Sequence, residues 1–68
     1  MSWDALPPEV RDVAERTCSQ DEIDVLKLYS HGMGYRAIAR ALDIERDTVR
    51  ARLARASRKI RAAMKETG

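Results

Sequence analysis

Arginine dominates the stretch of this 68-residue sequence whose side chains have an evident chemistry. Arg46, Arg50, Arg52, Arg55, Arg58 and Lys59 follow one another closely. A guanidinium is planar, always charged, and carries its donors in a fork that fits guanine O6 and N7 or a phosphate. Arg46 and Arg50, one helical turn apart, are predicted to reach base edges. Asp47 between them can accept from a cytosine amine, or it orients either arginine. Ala51 and Ala54 leave a backbone free to sit deep in a groove, with methyls that pack on thymine; plain helix propensity also favours alanine there. Thr48, Arg52, Arg55, Arg58 and Lys59 are expected on phosphates. Tyr35 and Arg36 open the preceding helical segment, whose N-terminal amides can hold another. The predicted partner is double-stranded DNA.

The charge of the whole chain supports a polyanion. Residues 1–34 hold three basic and seven acidic side chains, whereas residues 35–68 hold ten and four. The net +2 conceals this split, which predicts a solvated basic face or, with the motif below, an anionic partner for the second half.

These residues need helices to present them. Ile38, Ala39 and Leu42 form one face of a short helix from Tyr35 to Leu42, with Gly34 at its N-cap. A second helix starts near Arg46 and runs beyond Met64. Its Val49, Leu53, Ala56, Ile60 and Met64 make one apolar stripe, opposite Asp47, Ala51, Ala54 and Arg58. Arg50 and Arg61 flank one edge of that stripe, and Arg52, Arg55 and Lys59 the other. Two helices joined by about three residues, the second one basic, are a helix-turn-helix with a recognition helix for the major groove.

Upstream, Ser19 and Glu22 have capping-box spacing, and Cys18 and Ile23 that of a hydrophobic staple. A helix is expected over Gln20–Ser30, ended by Gly32. Ile23 and Leu26 face the core, with Val25 and Tyr29 as further candidates. Pro8 opens an N-terminal helix, in which Leu6, Val10 and Val13 continue a periodic run from Trp3. Trp3 is expected over the core, with exposure as a contact the alternative. The fold class is all-α: a small four-helix domain over 1–68, with an N-terminal helix at 8–17 and a helix-turn-helix core at 19–66.

The blocks SQDEIDVLKLY, GMGYRAIARAL and IERDTVRARLARA resemble region 4 of sigma-70-like factors and the LuxR-type DNA-binding domain, over about Cys18–Ile60. Thr48–Leu53 is the most characteristic block, and Arg52–Arg61 is closer to sigma region 4. The resemblance implies a bacterial or phage origin and a role in transcription. It also implies base contacts at Arg46, Asp47, Arg50 and Ala51. Three features depart from it. Asp43 stands at a turn position where glycine is usual, Glu45 replaces a Ser or Thr cap, and Leu6-Pro7-Pro8 lies one helix early. No region 2-like segment is present, so promoter melting by this chain alone is not expected.

The predicted function is a sequence-specific DNA-binding regulator of transcription. The alternative is an interaction module that binds RNA polymerase or a separate sigma-like chain, with Asp21, Glu22 and Asp24 as its contact. The stripe at Ala56, Ile60, Ala63 and Met64 is covered either by Leu6, Val10 and Val13 or by a second copy in a homodimer. No enzyme activity, cofactor or metal is expected. Cys18 is alone, His31 lacks companion ligands, and no nucleophile–base pair or phosphate loop is present. No apolar run approaches the roughly 20 residues of a membrane span, and Met-Ser-Trp-Asp is no leader. The expected compartment is the cytoplasm.

Overall fold

The computed structural model describes residues 3–67. A 3₁₀ turn at Trp3–Ala5 precedes four α-helices: α1 (Pro8–Thr17), α2 (Gln20–Ser30), α3 (Tyr35–Leu42) and α4 (Arg46–Thr67). Among the described residues there is no strand, so the fold is all-α as expected. No helix among them is long and apolar enough to cross a membrane.

Each boundary has a local chemical cause. Proline opens α1, where a missing N–H costs nothing. Cys18 ends α1 in extended conformation, its N–H donating to Ala14 O at 2.9 Å. Ser19 then caps α2: its Oγ accepts from the Glu22 N–H at 3.3 Å, and Glu22 Oε1 accepts from the Ser19 N–H at 2.8 Å. At the far end Gly32 takes φ +93°. Its N–H donates to Tyr29 O, and the Met33 N–H reaches back to Leu28 O, which is a Schellman ending. Asp43 closes α3 in the same way with φ 55° and ψ 49°. The Ile44 N–H donates to Ala39 O at 2.9 Å. An aspartate tolerates the left-handed region better than most residues, so this turn survives without glycine.

Two apolar clusters lie side by side. Val25, Ile38, Val49 and Leu53 form the first, sealed by Met33, Leu42 and Ile44 from the two helix endings. Trp3, Ala14 and Ile23 form the second, with Leu6, Cys18 and Ile60 against it. Leu26 borders both. Trp3 is therefore a core residue, and Lys27 Nζ stands 5.7 Å from its ring centroid, within cation–π range. The staple pair Cys18 and Ile23 meet in that cluster.

Two expectations are refined. Of the further candidates on α2, Val25 is fully buried, but Tyr29 is 51% exposed and stacks on Tyr35 with centroids 6.1 Å apart. The α4 stripe grades from fully buried Val49 and Ala56 through half-buried Ile60 to Met64, 38% exposed. Ile60 is covered by the same chain's Trp3 cluster.

Glu22 is a charged group in the core, 4% exposed. Lys59 Nζ on α4 donates to its Oε1 at 2.8 Å. The carboxyl is held below its ordinary value of 4.5 by the lysine first, helped by the Ser19 amide and opposed by burial. A lowered folded-state pKa gives stability that is complete above the ordinary value and lost as pH falls through the folded one. Acid destabilisation below pH 4.5 should therefore be shallower in Glu22→Gln, read by thermal melts. Lys59→Met should cost about 1–3 kcal/mol by leaving the carboxylate without its cation. Arg58→Met should stay within about 0.5 kcal/mol. Ile60→Glu should destabilise the chain with no change of mass in light scattering; a folded dimer becoming a folded monomer would place this stripe between copies.

Candidate nucleic-acid interface

The Asp43 turn sets α4 against α3, and Val49 and Leu53 fix its inner face. What remains outward is the predicted reading face. Arg46, Asp47, Arg50, Ala51 and Ala54 are all exposed. Of the expected phosphate ligands, Arg36, Arg55, Arg58 and Lys59 are exposed, while Tyr35, Thr48 and Arg52 are half-buried. Gly34 caps α3 with no side-chain hydrogen bond, so no side chain occupies the amides at that helix start.

Three hollows border this face. Tyr35, Arg50 and Ala54 share one hollow of about 390 Å³ with Arg61 at its edge. Arg55, Arg58 and Lys59 line a second, of about 290 Å³. Arg36, Arg40 and Arg46 line the third, of about 550 Å³, where α3 meets the start of α4. Arg40 is the residue the sequence reading passed over. Its spacing of four from Arg36 was the available signal, since that spacing puts both on one helix face.

Ion pairing separates the two halves of the molecule. Arg11 pairs with Asp4 at 3.9 Å and Arg16 with Asp12 at 3.4 Å, both in the first half. Lys59 pairs with Glu22, which gives this expected phosphate ligand a structural partner that helical periodicity did not reveal. Among the described residues, Arg36, Arg40, Arg46, Arg50, Arg52, Arg55 and Arg58 form no ion pair. Asp43, Glu45 and Asp47 lie among them, equally unpaired. A face of uncompensated guanidinium groups creates a positive potential suited to a polyanion.

No group of three or more His, Cys, Asp or Glu side chains that could hold a metal ion occurs among the described residues. Cys18 is half-buried, with Sγ 3.9 Å from Ala56 O. Its place is in the packing of α2 on α4.

Comparison with known proteins agrees with this geometry. The family model GerE, bacterial regulatory proteins of the luxR family, matches residues 16–66. The match takes in α2, α3 and nearly all of α4, and leaves out the 3₁₀ turn and most of α1. No curated protein and no solved structure matches the chain. The chain belongs to the luxR family of bacterial regulatory proteins, as a helix-turn-helix domain of DNA-binding transcription regulation.

Proposed function

We propose that the domain is a sequence-specific regulator that lays α4 in the major groove, with α3 across its edge. Arg46, Asp47, Arg50, Ala51 and Ala54 face base edges. Tyr35, Arg36, Thr48, Arg52, Arg55 and Arg58 face phosphates. Lys59 stays with Glu22 and holds α4 in place. The observation that carries this reading is the exposed row of arginines without ion pairs on α3 and α4. Backbone contacts of this kind fix register, and the arginine forks near the start of α4 supply sequence preference. Ala51 and Ala54 support close approach, because neither carries a side chain that would hold the helix off the bases.

The basic tail of α4 favours the sigma region 4 variant of this architecture, in which one helix both reads DNA and continues into the body of the domain. The cell compartment of that work is the cytoplasm. Packing of Ile60 against the Trp3 cluster favours a homodimer, if formed on DNA, that uses another surface. The sigma-like or polymerase-bound alternative predicts instead that the chain binds promoters only with its partner present.

Binding sites selected from random duplexes by the protein alone test the reading. For about 4–6 neutralised phosphates, log K should fall with log salt at roughly −0.9 per contact. A slope near zero would exclude the groove-bound arrangement. On the selected site, Arg50→Ala should cost about 1–3 kcal/mol and relax preference at one or two base pairs. Arg55→Ala should weaken all sequences alike. Uniform losses in both would refute this division between base and phosphate contacts.

A further inference from the structure

The hollow between α3 and the start of α4 draws its arginines from two helices and carries an acid among them. Three arginines, Arg36, Arg40 and Arg46, converge on it from two helices. Its remaining lining is Ala39, Ile44 and Asp43. Arg36 and Arg40 stand about one turn apart on α3, about 6 Å along its axis. Arg46 is the first residue of α4 and enters from the other side of the turn. None of the three has an ion-pair partner among the described residues. Asp43 is the one acid in the lining, and it too is unpaired.

Three like charges around one concavity repel each other, and an anion seated there would turn that repulsion into attraction. Guanidinium forks match the oxygens of a phosphate, and they can engage one from several directions. Ala39 and Ile44 give an apolar floor against which a sugar can lie. We propose that this hollow is a phosphate clamp for one strand of the bound duplex. Arg40 is its added ligand, and Arg46 is shared between the clamp and the groove. Asp43 stands at the rim as a built-in weakening charge. The proposal rests on the DNA-binding reading above and extends it to a residue outside the recognition helix.

The aspartate makes the clamp testable in both directions. Asparagine also adopts the left-handed region readily, so Asp43→Asn removes the charge and keeps the turn. Arg40 is exposed, so Arg40→Gln should leave the melting temperature unchanged, and circular dichroism checks both variants. On the selected duplex, Arg40→Gln should bind several-fold more weakly at low salt. That deficit should shrink by roughly threefold between about 50 and about 200 mM salt, one contact's share of counterion release. The preferred sequence should not change. Asp43→Asn should bind several-fold tighter at low salt, with the gain fading as salt rises.

If the wild-type chain binds DNA with a steep salt dependence but both variants match it, the clamp is wrong and the DNA-binding reading stands. If the wild-type chain shows no salt-dependent binding, both fall together. Inorganic pyrophosphate supplies the remaining arm. Without DNA, it should raise the melting temperature of the wild-type chain more than that of Arg40→Gln, because the same guanidinium groups meet the same oxygens. Such a rise together with duplex binding unchanged by Arg40→Gln would assign the hollow to a free anion and overturn the clamp.

Discussion

Val49, Leu53, Ala56 and Ile60 fall 4, 3 and 4 residues apart along α4, and on this stripe the other three α-helices rest. The stripe has to serve two requirements. Its inner side must be apolar and, at Ala56, small enough for Cys18 to come within 3.9 Å of the backbone carbonyl. Its outer side must stay free of cover, because the arginines lie there. One helix of 22 residues meets both. Fully buried Val49 sits directly between Thr48 and Arg50, so packing of the core fixes the angle at which those side chains leave the surface. Rigid support of this kind is what a reading surface needs.

Charge follows the same division. In the first half two local ion pairs form, Asp4 with Arg11 and Asp12 with Arg16. In the second half the arginines outnumber the acids among them and form no ion pair among the described residues, which costs self-repulsion in the free domain. Glu22 offsets part of that cost. It is the buried acid that crosses from α2 to α4, and it completes the cap of its own helix at the same time. A surface pair would contribute little. Here the carboxylate is nearly inaccessible and accepts from two donors, so losing either partner leaves a buried charge underserved. The 3₁₀ turn and α1, mostly outside the family match, close the cluster beneath this pair with Trp3, Leu6 and Ala14.

Much of this was legible in the residues. Ser19 with Glu22, Gly32, Gly34 and Pro8 marked helix ends because each meets a fixed backbone demand at that place, and α1, α2 and α3 start where those residues say. Family membership was legible in Thr48–Leu53 and the blocks before it. Other features were not. Val25 and Tyr29 share a helix face by periodicity, but only the docked helices decide which is covered: Val25 is fully buried and Tyr29 is exposed. The Lys59 bond to Glu22 joins residues 37 apart in the chain, a distance that no helical wheel spans. No helical spacing joins Arg40 to Arg46, since the turn at Asp43 lies between their helices and brings both to one hollow. Spacing gives the face of a helix, whereas long side chains choose partners only after the helices dock.

The central claim is that DNA lies against the outer face of α4 and the start of α3. Amide chemical shifts of the ¹⁵N-labelled chain, followed during titration with a selected duplex, test it most directly. Perturbations should concentrate at residues 34–36 and 46–58, with α1 and the first turn of α2 nearly unmoved. Shifts centred on α1 and the acidic start of α2 would contradict the account, since they would put the partner on the opposite charge.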